Sequence, residues 1–192
     1  MIDGMPTLVH VRDVGSADER NDVLEEVAAV ALQRQAGSTG AGPRRMSGVF
    51  QSERIASMLF AAVEPRLGAV SDWAVSDTLR SLTPPLEQWR FTGVSPLCRI
   101  YRYERGDAFA THRDEERHLE PMLWTALTVM LYLPSDRELV GGETFVGDVR
   151  VSPDPWSVLA FAHNSWHHGA EVMSGTKTVV RSDVMIAARR EI

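Results

Sequence analysis

Cysteine is nearly absent: Cys98 is the only one among 192 residues, so no intrachain disulfide can form. That suits a reducing, cytoplasmic setting. Cys98 lies in an apolar, strand-like run and reads as a small buried hydrophobe. Long apolar runs are missing too, and none reaches the roughly 18 residues that a membrane span needs. Met1 to Arg12 carries acids and no apolar core, which is not the texture of a signal peptide. There is no block of basic residues. With 20 Lys and Arg against 26 Asp and Glu, the net charge is -6, which argues against nucleic acid as the main partner. No internal repeat is visible, and nothing in the sequence sets an oligomeric state.

What is present is the composition of an ordinary globular domain, 44% hydrophobic and 24% charged. The length suits a single domain over 1–192. The texture changes near its middle, giving a helical part over about 1–92 and a strand-rich part over about 93–190. Asp18-Glu19-Arg20 opens a helix whose apolar face carries Val23, Val27, Val30 and Leu32. The stretch Ala36 to Pro43, rich in glycine and alanine, breaks it and reads as a surface loop or a lid. A second helix is predicted over Ser52 to Leu67, with Ile55, Met58, Leu59, Ala62 and Val63 as its buried stripe. A third, over Asp72 to Trp89, is interrupted at Pro84-Pro85. Beyond Ser95 come short alternating runs: Leu97 to Tyr103, Thr125 to Leu133, Val149 to Ser152, Ser157 to Phe161 and Lys177 to Ala187. Helices followed by many short strands predict an α+β chain that is mainly β: a jelly-roll barrel with bracing helices.

The most informative local pattern is His112-Arg113-Asp114, just after a predicted strand. Extended backbone puts residues i and i+2 on one face, so one imidazole and one carboxylate can reach the same ion. His167 is the candidate third ligand. Two neutral nitrogens and a carboxylate on one face of an octahedron suit Fe(II) and leave the opposite face open. His168 points the other way if the segment is extended. His163 reads as a satisfied core or loop histidine, and His10 and His118 have no partner pattern.

From about Arg44 onward the chain resembles the prolyl 4-hydroxylase-like branch of the Fe(II)/2-oxoglutarate dioxygenases. The matching segments are Arg99-Ile100-Tyr101-Arg102-Tyr103 with Gly106, Phe109, His112 and Asp114; Thr125 through Leu133; Gly141-Gly142-Glu143-Thr144-Phe145; Val151-Ser152-Pro153; Leu159-Ala160-Phe161; His167-His168-Gly169; and Gly175 through Met185. The resemblance implies a double-stranded β-helix (jelly-roll, cupin-like) core, with His112, Asp114 and His167 as catalytic iron ligands. It also implies 2-oxoglutarate as cosubstrate, dioxygen, and ascorbate as an optional reductant. The far carboxylate of 2-oxoglutarate needs a cation. The register of the family gives Lys177. Arg181, four residues on, shares its face and is the second candidate. Tyr132 and Tyr103 match positions where the family sets tyrosines around the cosubstrate. Arg99 and Tyr101 share the parity of Tyr103, and an arginine facing a barrel interior calls for an anion, so Arg99, with Tyr101 beside it, is a candidate substrate contact. Trp124 and Glu115 are further candidates at the pocket floor and mouth.

The implied reaction is hydroxylation of an unactivated carbon of a small molecule, such as an amino acid or biosynthetic metabolite. The carboxylate at position 114 argues against halogenation. The alternatives are a prolyl-type hydroxylase acting on a protein and a non-catalytic cupin-like binding protein. The chain departs from the family at Arg44-Arg45-Met46-Ser47-Gly48, where relatives often carry an Asn-Asn-Asp-Arg-like stretch, and at Pro134 after Tyr132-Leu133. Both departures fall near the expected pocket mouth.

Overall fold

A computed structural model describes residues 8–35 and 45–188. The glycine-rich stretch 36–43, expected as a loop or lid, lies outside the described residues. Two antiparallel sheets form the barrel. The larger runs in the order Leu8–Val11, Val158–Ala162, Leu123–Leu133, Lys177–Ala188, Leu97–Tyr103, Arg45–Gln51, Gln33–Gln35, with Trp89–Val94 paired to the far end of Lys177–Ala188. The smaller runs Val149–Val151, Thr144–Val146, His167–Gly169, Phe109–His112. This is the expected jelly roll.

Alternation divides the central strands cleanly. Leu127, Val129 and Leu131, with Val180 and Val184, face outward into the core shared with the helices. Tyr132, Leu159, Phe161 and Val179 face inward and pack in the barrel with Val146 and Val151. The helix Glu53–Leu67 lies across the outer face of the large sheet and buries Ile55, Leu59 and Val63 completely. Full burial of each such side chain contributes about 1.5–3 kcal/mol. Ser52 caps this helix by accepting from the Ile55 amide at 3.0 Å. The helix Ala17–Ala28 starts with a reciprocal cap between Ser16 and Glu19. Trp73 and Trp89, both buried, satisfy their indoles by donating to the carbonyls of Leu67 and Pro84. No described helix is long and apolar enough to cross a membrane.

The first half is not helical throughout. Leu8–Val11 and Arg45–Gln51 are strands that extend the large sheet, and Trp89–Val94 is another. The periodic segment that opens at Asp18 ends as a helix at Ala28, and Gln33–Gln35 is already an edge strand. Over 72–89 only Asp77–Arg80 is α-helical, flanked by two single 3-10 turns. These segments are edges or have Gly and Pro among their residues, so pairing with the sheet decides their conformation, not their own periodicity.

Candidate active site

The barrel brings His112, Asp114 and His167 together: one ligand atom from each lies within 4.8 Å of the others. His112 ends its strand and pairs directly across from His167 in the small sheet, so register sets the two imidazoles side by side, 4.0 Å between ring centroids. Asp114 follows on the extended segment, as the two-residue spacing requires, and its amide donates to the His163 carbonyl at 3.0 Å. Its carboxylate oxygens lie 3.9 Å from His112 Nε2 and 3.7 Å from His167 Nε2. These gaps are too long for hydrogen bonds and short enough to share one cation.

The tautomers are set from behind. His112 Nδ1 lies 2.9 Å from the Ala110 carbonyl and His167 Nδ1 lies 3.0 Å from the Ser165 carbonyl. A carbonyl only accepts, so each Nδ1 carries the proton and each Nε2 lone pair faces Asp114. Burial, the largest influence on His167, keeps its ring below the ordinary imidazole pKa and so neutral. Burial also works against ionisation of Asp114, but the Arg181 guanidinium and the Thr128 hydroxyl overcome it and hold the carboxyl below its usual range. Two neutral nitrogens and a carboxylate fit Fe(II).

One strand supplies the rest. Along Lys177–Ala188, residues Lys177, Val179, Arg181 and Asp183 all face inward, but the two cations differ. Arg181 donates to Asp114 at 3.1 Å, lies 3.0 Å from Asp183 and reaches Thr128 at 3.3 Å. It is spent on holding the carboxylate ligand. Lys177 is the only lysine in the chain and is 5% exposed. Its ammonium donates to Thr144 Oγ1 at 3.1 Å and sits 5.6 Å from the ring centroids of both Tyr103 and Tyr132. Among the described residues no carboxylate forms an ion pair with it; Glu143 is ion-paired with Arg150. Burial pushes its pKa down to about 7, with Glu143 pulling weakly the other way. A buried cation without a counter-ion, in the same cavity as the triad, fits a carboxylate of a chelating 2-oxo acid.

The cavity has a volume of about 160 Å³ and runs from the triad to Lys177 past Phe109, Met130, Thr144 and Val179. Tyr101 and Tyr103 line it. Tyr132 stands one layer behind and donates to Thr144 at 2.8 Å. Thr144 thus accepts from both Tyr132 and Lys177, which leaves its own hydroxyl proton to donate into the cavity. Thr144 was not singled out from the sequence, although it lies within the quoted turn.

Three candidate substrate residues fall elsewhere. Arg99 does not line the cavity; its guanidinium lies 3.7 Å from Asp183, which also meets Arg117 and Arg181. The anion that an inward-facing Arg99 calls for is therefore supplied by the protein. Trp124 stacks on His118, 4.8 Å between centroids, and packs against the outer core. Glu115 is exposed in the following segment and does not line the cavity. His163 is a core histidine with Nδ1 2.9 Å from Thr128 Oγ1, driven down to about 4 by burial. His168 turns away from its neighbour and stacks on Phe145 at 4.6 Å.

Residues 98–182 match the family model described as the 2OG-Fe(II) oxygenase superfamily. No curated protein sequence matches the chain as a relative. Solved structures share the fold. The viral collagen prolyl hydroxylase of Paramecium Bursaria Chlorella virus-1, in its 2OG complex, aligns over 98% of this chain and 100% of its own, at 14% identity and TM-score 0.58. A Pseudomonas putida prolyl-4-hydroxylase aligns over 96% and 94%, at 14% identity and TM-score 0.57. A Trichoplax adhaerens prolyl hydroxylase, in complex with a hypoxia inducible factor peptide fragment, aligns over 93% and 83%, at 14% identity and TM-score 0.56. Family match, fold and donor set agree: residues 98–182 are a 2OG-Fe(II) oxygenase domain, and the chain is a 2-oxoglutarate-dependent dioxygenase whose donor set fits ferrous iron.

Proposed function

We propose that the chain hydroxylates an unactivated carbon of a small molecule, such as an amino acid or biosynthetic metabolite, with His112, Asp114 and His167 holding the iron. Lys177 and Thr144 hold the far carboxylate of 2-oxoglutarate. The observation that carries this reading is the unpaired, buried Lys177 in one cavity with three convergent ligands. Iron, 2-oxoglutarate and dioxygen together supply the oxidising power that turns C–H into C–OH while the cosubstrate becomes succinate and carbon dioxide.

The protein does the positioning. The carbonyls of Ala110 and Ser165 fix the ring orientations of the two histidines, and Arg181 with Thr128 fixes the carboxylate. The ring of Phe109, with Met130 and Val179, walls the space between triad and lysine and limits water there. A reducing, cytoplasmic setting belongs to the same reading, since ferrous iron persists there. Peptide hydroxylation is the alternative, since the structural neighbours include prolyl hydroxylases, one of them in complex with a peptide fragment.

Anaerobic titration of the metal-free protein with Fe(II) and 2-oxoglutarate tests the metal and cosubstrate roles. A weak visible charge-transfer band that requires both additions is the expected result. Folded, iron-bound protein with no band refutes the cosubstrate assignment. The band in His112→Ala or Asp114→Ala protein, at wild-type metal concentrations, refutes the ligand assignment.

A further inference from the structure

The cavity contains a second buried cation that the metal and cosubstrate do not use. Arg45 lies on the strand Arg45–Gln51, is 8% exposed, and lines the cavity. Its Cζ sits 4.0 Å from the ring centroids of both Tyr101 and Phe109. Aromatic faces attract the charge but offer no strong acceptor for its N–H groups. Its one hydrogen bond goes from Nη1 to Tyr103 Oη at 3.3 Å, and Nε is buried with no partner. Among the described residues it forms no ion pair. The preceding stretch, residues 36–44, contains no Asp or Glu and cannot supply one. A guanidinium buried this deeply is costly unless an anion joins it.

Location says which anion. Arg45 packs on Phe109, and the Phe109 ring is itself 4.1 Å from that of His112, so the free donors lie one aromatic ring away from a metal ligand. Tyr103 stands between the two cations, its hydroxyl toward Arg45 and its ring toward Lys177. 2-Oxoglutarate brings two carboxylates: one belongs with its keto oxygen at the metal, the other with Lys177. Neither is left for Arg45. The forked donors of arginine match a carboxylate.

We propose that Arg45 anchors a carboxylate of the substrate, and that the substrate is therefore a small carboxylic acid oxidised a few bonds from its acid group. This inference rests on the dioxygenase reading above. It narrows the substrate class to free amino acids and other small organic acids, and it disfavours an internal proline of a peptide, which has no free carboxylate.

The test is anaerobic thermal unfolding of the whole protein with Mn(II), with and without saturating 2-oxoglutarate. It is followed by the common amino acids and a set of short monocarboxylic acids, each beside its primary amide, and by an acetylated, amidated proline peptide. The expected result is that 2-oxoglutarate raises Tm, that at least one acid raises it further, and that its amide does not. Arg45→Gln should weaken that acid at least about 30-fold and leave the 2-oxoglutarate shift in place, which also shows the variant folded. Arg45→Lys should retain part of the binding. The inference is overturned if 2-oxoglutarate binds and no acid does, if amide and acid bind alike, or if the capped peptide binds and no free acid does. It is also overturned if Arg45→Gln loses 2-oxoglutarate and keeps the acid. Absence of any 2-oxoglutarate shift in the wild type instead removes the dioxygenase reading, and this inference with it.

Discussion

Replacing Lys177 by methionine should make the metal-free protein more stable and cosubstrate binding much weaker. Burial moves the ammonium from its ordinary value of 10.5 down to about 7, so at pH 7 the folded protein bears the cost of a charge that the unfolded chain carries freely. At 1.36 kcal/mol per pKa unit that cost is about 4 kcal/mol. Losing the Thr144 hydrogen bond gives back about 1 kcal/mol, and methionine fills nearly the same space. A net gain of about 3 kcal/mol should raise Tm by about 6–12 °C in a chain of this size. The sign with pH follows. Between pH 7 and 10 the unfolded chain binds more protons at this site than the folded one, so wild-type stability rises with pH there. The advantage of Lys177→Met is widest below pH 7 and fades toward pH 10. Cosubstrate affinity should show the opposite trend, falling about tenfold per unit above pH 7, because the binding form is the protonated one. In the variant it should drop by about 2–5 kcal/mol at neutral pH. Because Lys177 is the only lysine, 13C labelling of lysine gives a single side-chain signal whose titration midpoint can be read directly. Added Zn(II) and 2-oxoglutarate should push that midpoint upward. A signal that titrates near the ordinary 10.5 in the metal-free protein, a variant less stable than wild type at pH 7, or unchanged 2-oxoglutarate affinity would each refute the reasoning.

Arg181→Ala should lower metal affinity about 10–100-fold, because it frees the Asp114 carboxylate; a Co(II) titration reads this, and 2-oxoglutarate affinity at saturating metal should change little. Collapse of cosubstrate binding with metal affinity intact would instead make Arg181 the cosubstrate cation. Cys98 is fully buried, and burial pushes its thiol up to about 12, so a disulfide exchange reagent at pH 8 should label it only on unfolding. Rapid labelling of the native protein would contradict that burial.

The His112 and Asp114 pair was legible because its information is local, whereas His167, far along the chain, needed the family resemblance. A two-residue spacing in extended backbone fixes which side chains share a face. The two-residue period likewise placed Lys177 and Arg181 on one inner face, but it says nothing about which of them is already paired. That depends on strand register: Arg181 sits directly opposite Arg99, and opposite Met130 on the other side. Only this register gathers Arg99, Arg117 and Arg181 around Asp183, which turns an apparent substrate contact at Arg99 into an internal ion pair. The strands at Leu8–Val11 and Arg45–Gln51 were hidden for a related reason. Their conformation comes from the strands they pair with, so Arg45 was visible as a departure from the family and not as a cavity residue.

One strand therefore performs two tasks that must not mix. The inward positions of Lys177–Ala188 alternate a free cation, an apolar wall at Val179, and a neutralised cation that holds the carboxylate ligand. If Arg181 were unpaired, the cavity would present two comparable sites for the far carboxylate of 2-oxoglutarate, and one of them would lie beside the metal, where it would compete for the ligand Asp114. Asp183 removes that ambiguity. Its buried carboxylate sits 3.0 Å from Arg181 and in ion-pair reach of Arg99 and Arg117, so three arginines surround one acid, and Asp114 supplies the second negative charge. Such a cluster adds little to stability, because the desolvation of its charges offsets most of their attraction. Its function is geometric: it leaves Lys177 as the unpaired cation on that strand and confines the substrate's own anion to Arg45, on the other side of Tyr103.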